Sequence, residues 1–166
     1  MDLYIIRHAI AEERDSSRWP DDSQRPLTDR GRQRFRPVAQ LLGRMCPDLD
    51  MLLSSGYVRA WETAELLARF TDWPDPQRCA ELEGASCPQV CAALQGQSSA
   101  ESLAIVGHDP SFSDLVSHLL AGSDLAIRID FKKGGAVCLN FDGPPQAGAA
   151  TLAWYLTPRL ARRLSE

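Results

Sequence analysis

The stretch LYIIRHAIAEE, residues 3–13, decides how the rest of the chain is read. Leu3, Tyr4, Ile5 and Ile6 form a short apolar and β-branched run, the composition of a strand. The run stops abruptly at Arg7 and His8. A guanidinium and an imidazole are costly beside a core unless a partner compensates them, so their place at the end of a buried strand calls for a chemical reason.

The same apolar character recurs in DLDMLLSS (48–55), SLAIVGH (102–108), LAIRIDF (125–131), AVCLNF (136–141) and TLAWYL (151–156). These segments predict strands. Helical periodicity marks 28–45, 57–70, 88–95 and 110–121, with Thr28 as an N-cap and Pro110 at a helix start. Pro37 is expected to kink or interrupt the first of these helices. Strand and helix alternate up to about residue 121, and strands then follow one another. The pattern predicts an α/β three-layer sandwich with a mostly parallel sheet and an antiparallel edge. Residues 9–27 read as a long polar loop and 143–148 as a turn.

In such a sheet, ligands gather outside the carboxyl ends of the strands. Arg7 and His8 follow the first strand; Ser54, Ser55 and Arg59 follow the second; Gly107, His108 and Asp109 follow SLAIV. Three strands thus deliver two arginines and two histidines to one edge. Two guanidiniums can fork onto the oxygens of a phosphoryl group and neutralise charge during its transfer. A neutral imidazole is a competent nucleophile toward phosphorus once a hydrogen bond fixes its tautomer, and His8 suits that role. Neighbouring Arg⁺ groups disfavour its protonation, and His108 can donate to a phosphoryl oxygen in the transition state.

Composition narrows the partners. The chain has 166 residues, 44% hydrophobic and 24% charged, enough for one compact core over 1–166. A net charge of -4 gives no footprint for nucleic acid, and no apolar run approaches the roughly 18 residues of a membrane span. With no cationic leader before the first strand, a cytoplasmic protein is expected. Cys46, Cys79, Cys87, Cys91 and Cys138 are odd in number and widely spread, which fits reduced thiols.

The strand ending RHA (7–9), LSSGYVRAWETAELLA (53–68) and IVGHDPSFSDLV (105–116) resemble the three signatures of the histidine phosphatase superfamily, with its phosphoglycerate mutase-like fold. The short length and RPLTDRG (25–31) resemble its SixA-type phosphohistidine phosphatases. The resemblance implies that His8 accepts the phosphoryl group, that Arg7 and Arg59 bind it, and that His108 completes the pocket. It adds Arg25 as a further phosphate contact. Two departures stand out: RHA replaces the commoner RHG, and no proline follows the serine in LSSGYVRA. Neither removes a reacting group.

Ester-cleaving members of that superfamily carry a carboxylic acid after the second arginine, because an alkoxide leaves poorly without a proton. AELEGAS (80–86) offers Glu81 and Glu83 for that role, and Asp109 is a further carboxylate beside His108. Phosphohistidine demands less, since imidazole departs readily. Two substrates follow: a histidine-phosphorylated protein, or a small phosphorylated molecule. A phosphate-binding module without turnover is a third reading, disfavoured by the intact quartet. No metal is expected, because two arginines supply the positive charge, and no cofactor is implied; the oligomeric state is left open. His118 reads as structural, Cys87 and Cys91 as core packing, and ARRL (160s) as a solvated helix end.

Overall fold

The computed structural model describes residues 1–97 and 99–165. Its strands are β1 (Asp2–Arg7), β2 (Met51–Ser54), β3 (Gln77–Arg78), β4 (Ser102–Gly107), β5 (Ala136–Asn140) and β6 (Thr151–Leu156). They form one sheet in the order β3-β2-β4-β1-β5-β6. Pairing is parallel from β3 through β1 and antiparallel on both sides of β5. The helices are α1 (Asp29–Met45), α2 (Val58–Phe70), α3 (Cys87–Gln95), α4 (Ser111–Ala121) and α5 (Pro158–Leu164).

Alternation along the central strands divides the core in two. Tyr4, Ile6, Ala104 and Val106 face one cluster with residues of α1, α2 and α5, while Leu3, Ile5, Leu103 and Ile105 face another with α3 and α4. This is the three-layer, phosphoglycerate mutase-like arrangement. The chain leaves β1 for α1 on one face and leaves the adjacent β4 for α4 on the other. A crevice therefore opens beyond the carboxyl ends of β1 and β4. His8 N–H donates to the Gly107 carbonyl (2.9 Å) across that point.

Two expectations need correction. LAIRIDF (125–131) is not a strand. Its backbone is satisfied instead by side chains: Ile127 N–H donates to Ser117 Oγ (2.9 Å), and the Asp130 carbonyl accepts from the Tyr155 hydroxyl (2.8 Å). The Phe131 carbonyl accepts from Arg7 Nη1. Pro37 does not interrupt α1, which runs through it. Phe35 lies before it and Val38, Ala39, Leu41 and Leu42 lie after it, all buried. Burial of about 2 kcal/mol per large apolar side chain outweighs the roughly 3 kcal/mol that an interior proline costs. Thr28 caps α1 as expected, accepting from Gly31 N–H (2.8 Å).

Candidate active site

The nucleophile candidate is positioned by backbone. His8 is 5% exposed, and its Nδ1 lies 2.7 Å from the Ala9 carbonyl. A carbonyl can only accept, so Nδ1 carries the proton and Nε2 keeps the lone pair. Burial pushes the His8 pKa well below its ordinary value; the Ala9 carbonyl opposes that shift, while His108, Arg59 and Arg7 reinforce it. The imidazole is therefore neutral near pH 7. Two further contacts hold the segment. Ala9 N–H donates to Thr63 Oγ1 (3.0 Å), whose hydroxyl donates to the Arg59 carbonyl (2.7 Å). Gly134 N–H donates to the carbonyls of Arg7 (3.1 Å) and His8 (2.9 Å), from a turn whose φ of 75° suits glycine.

Arg59 stands in the first turn of α2, 6% exposed, with its guanidinium 5.1 Å from the Tyr57 ring. Its Nη1 donates to the Asp22 carbonyl oxygen (2.7 Å) and its Nη2 pairs with Asp22 Oδ2 (3.1 Å). Arg25 Nε donates to Asp22 Oδ1 (2.9 Å). Asp22 thus joins Arg59 and Arg25, and its carboxyl is held far below the usual range by the Arg25 hydrogen bond first, against burial. Arg7 Nη1 lies 3.6 Å from Asp109 Oδ2 besides its bond to the Phe131 carbonyl. Asp109 also accepts from the Ser113 hydroxyl, so it orients Arg7 and the start of α4.

His108 completes the cluster. Its ring centroid is 5.4 Å from that of His8 and 4.8 Å from that of Tyr57. Nε2 lies 2.8 Å from Ser55 Oγ, while Nδ1 is buried without a partner. Burial first, then Arg59, bring its pKa down to about 4, against the opposing pull of Asp22 and Glu83. Gly107 lets α4 begin at once: a Cβ there would meet the Phe112 ring at 2.6 Å.

A pocket of about 300 Å³ opens here, lined by residues that include Asp21, Asp22, Tyr57, Arg59, Glu83 and His108. Of the five candidates, Arg59 and His108 line this pocket; His8 stands against His108, Arg25 joins Arg59 through Asp22, and Arg7 pairs with Asp109 beside His108. Glu83 also lines the pocket, but its Oε1 accepts from Gly56 N–H (2.9 Å) and Arg78 Nε (2.8 Å). The Arg78 hydrogen bond lowers its pKa. Glu81 lies outside the pocket and accepts from Cys79 Sγ (3.2 Å). Asp22 belongs to no motif visible in the sequence, and Thr63 lies inside the segment 53–68 with no signal that marks its role. Asp22 sits three residues before Arg25 in DSQR, the one local signal available.

Among the described residues, the one group of three donors spaced closely enough to hold a metal ion is Cys87, His118 and Asp124, whose donor atoms lie within 4.8 Å of one another. His118 Nδ1 is already bonded to Asp124 Oδ1 (2.7 Å), and none of the three lines the pocket at Arg59 and His108. All five cysteines are free and buried.

A buried neutral histidine, a second histidine and paired arginines at a strand-end crevice define a site built for phosphoryl transfer. The comparisons with known proteins agree. Residues 3–86 match the family model of the histidine phosphatase superfamily (branch 1), and the chain belongs to that family. It is a hydrolase of the class that uses a histidine nucleophile. An uncharacterized protein of Picosynechococcus sp. is 32% identical over 143 residues, covering 84% of this chain and 85% of the relative. The protein histidine phosphatase SixA complexed with tungstate is 25% identical, with a TM-score of 0.83 over 96% of this chain and 98% of that one. The alpha-ribazole phosphatase from Shigella flexneri shares the fold at 19% identity, with a TM-score of 0.72 over 95% of this chain and 97% of that one. No helix among the described residues is long and apolar enough to cross a membrane.

Proposed function

We propose that this chain, acting as a single domain over 1–166, is a metal-independent phosphohistidine phosphatase whose substrate is a histidine-phosphorylated protein. His8 Nε2 attacks phosphorus as the bond to the substrate imidazole breaks, and the phosphoryl group passes to His8. Arg7, Arg59 and Arg25 hold its oxygens, and His108 donates to one of them as charge develops. Water then attacks the phosphorylated His8 and releases inorganic phosphate. The two arginines that flank His8 supply the positive charge that a metal would otherwise bring.

One observation carries the choice of substrate. The carboxylates lining the pocket are all engaged as hydrogen-bond acceptors, Asp21 from Ser23 N–H, Asp22 from Arg25 and Arg59, and Glu83 from Gly56 N–H and Arg78, contacts that favour the ionised form and lower their pKa values. An ionised carboxylate has no proton for a departing alkoxide. A phosphohistidine protonated on its other ring nitrogen, which titrates near the ordinary imidazole pKa of about 6.5, departs as neutral imidazole; that proton comes from water and not from a carboxylic acid. Two features add support: SixA, which this chain resembles, is described as a protein histidine phosphatase, and its structure holds tungstate, an oxyanion of phosphate-like shape. Five free buried thiols fit a reducing compartment such as the cytoplasm.

The alternative is a small-molecule phosphomonoesterase of the same superfamily; the Shigella flexneri structure is described as an alpha-ribazole phosphatase. Turnover of a phosphohistidine peptide is to be compared with that of a panel of alkyl and aryl phosphates. The expected order is phosphohistidine first, aryl phosphates next and alkyl phosphates last. Fast cleavage of alkyl phosphates with phosphohistidine left intact contradicts the proposal.

A further inference from the structure

A second concavity, of about 380 Å³, lies behind the nucleophile segment and shares no lining residue with the catalytic pocket. Ala9, Ile10, Phe35, Gly134 and Pro158 form its apolar floor. Its rim carries five cations: Arg34 from α1, Lys132 and Lys133 from the turn before β5, and Arg159 and Arg162 from α5. No acidic residue lines it, although the whole chain is net -4. Among the described residues, only Lys132 of the five is ion-paired, with Asp130. Arg34, Lys133 and Arg159 are exposed.

Like charges gathered around an apolar floor repel one another and raise the potential in the groove, so their arrangement favours an occupant that is anionic outside and apolar at its centre. The groove adjoins the catalytic centre through the backbone. Ala9 follows His8 directly, and Gly134, which also lines the groove, donates its N–H to the carbonyls of Arg7 and His8. The two concavities share no lining residue, so an occupant that fills both must be larger than a small phosphorylated molecule. A protein can lie across both.

We propose that this groove docks an acidic segment of the phosphoprotein substrate, with one apolar side chain of that segment seated on Phe35 and Pro158. The proposal rests on the phosphohistidine reading given above and names the character of the partner. The rim cations act on encounter and orientation, while Arg7, His8, Arg59 and His108 act on the phosphoryl group.

The test uses two peptides that each carry one phosphohistidine and one leucine. Glutamates surround the leucine in one and glutamines in the other. With the full chain, kcat/KM is expected to favour the acidic peptide on the order of 10-fold at low salt, and the preference is expected to fade as salt rises. In the triple variant Arg34→Glu, Lys133→Glu, Arg159→Glu the preference is expected to collapse to about one. Its p-nitrophenyl phosphate turnover should match the parent, because none of the three residues touches the catalytic pocket.

Fluorescence anisotropy with labelled, unphosphorylated versions of both peptides reads the groove without chemistry. Tighter binding of the acidic peptide, lost in the triple variant, supports the docking site even if phosphohistidine is not hydrolysed; that result would sink only the substrate assignment. Equal binding and equal kcat/KM for the two peptides, or an acidic preference that survives charge reversal, overturns the docking proposal. So does a p-nitrophenyl phosphate rate that falls in step with peptide turnover in the variant.

Discussion

Replacing Asp22 by Asn probes the anion cradle without touching a reacting atom. Asp22 already occupies the arginines: Oδ1 accepts from Arg25 Nε at 2.9 Å and Oδ2 sits 3.1 Å from Arg59 Nη2. A phosphoryl oxyanion that binds Arg59 must share it with this carboxylate and tolerate its charge. At a separation of about 5 Å and an effective dielectric constant of about 20–40, each like-charge pair costs about 1.7–3.3 kcal/mol. The Asp22 side chain is 30% exposed, so screening by water favours the lower end of that range. About 1.4 kcal/mol is a factor of ten, and Asp22→Asn is therefore expected to tighten competitive inhibition by tungstate about tenfold. The turnover rate should fall at the same time, because Arg25 and Arg59 lose the group that aligns them. Inhibition constants against p-nitrophenyl phosphate, measured alongside the thermal midpoint, decide the matter. Unchanged or weaker tungstate inhibition in a variant with a normal midpoint would refute the idea that Asp22 competes for the cradle.

Other consequences follow from the same geometry. Arg59→Lys is expected to lower kcat on the order of 10² or more, since a point charge cannot replace the fork; near-normal kinetics would make Arg59 structural. Because burial depresses the pKa of His8 and brings that of His108 to about 4, kcat/KM is expected to stay level from pH 7 down to about pH 5. Over the same interval stability should decline: below about pH 6.5 the unfolded chain binds protons that the native histidines refuse, worth up to about 1.4 kcal/mol per pH unit for each. Denaturant titrations across pH would expose an error in that sign. Glu83→Gln is expected to leave phosphohistidine hydrolysis within a few-fold of the parent rate, since the carboxylate is committed to Arg78 and Gly56. Loss of activity comparable to that of Arg59→Lys would make Glu83 a catalytic acid.

The strand ends were legible because period and chemistry change at the same residues. Apolar runs stopping at Arg7–His8 and at Gly107–His108 have no reason to do so in a purely structural strand, and the parallel sheet brings both to one crevice. Asp22 was not legible. It lies in a short 3-10 turn, Asp22–Gln24, inside the loop 9–27, where no period fixes the direction of a side chain, and it meets Arg59 only through tertiary contact. Residues 125–131 misled for a related reason: their apolar character is that of a strand, but hydroxyls of Ser117 and Tyr155 take backbone groups that a neighbouring strand would otherwise pair. The cationic groove was hidden too, since its charges come from α1, α5 and the turn between them in space, more than 90 residues apart in sequence from Arg34 to Lys132.

Phosphoryl transfer through His8, whose proton is fixed on Nδ1 by the Ala9 carbonyl, requires a covalent intermediate. Rapid quench of the enzyme with labelled phosphohistidine peptide, followed by mapping of the labelled residue, tests it most directly. Label that is acid-labile and alkali-stable, located on His8, with label and turnover both absent in His8→Ala, is the predicted result. Substantial turnover by His8→Ala, or label on any other residue, would contradict it.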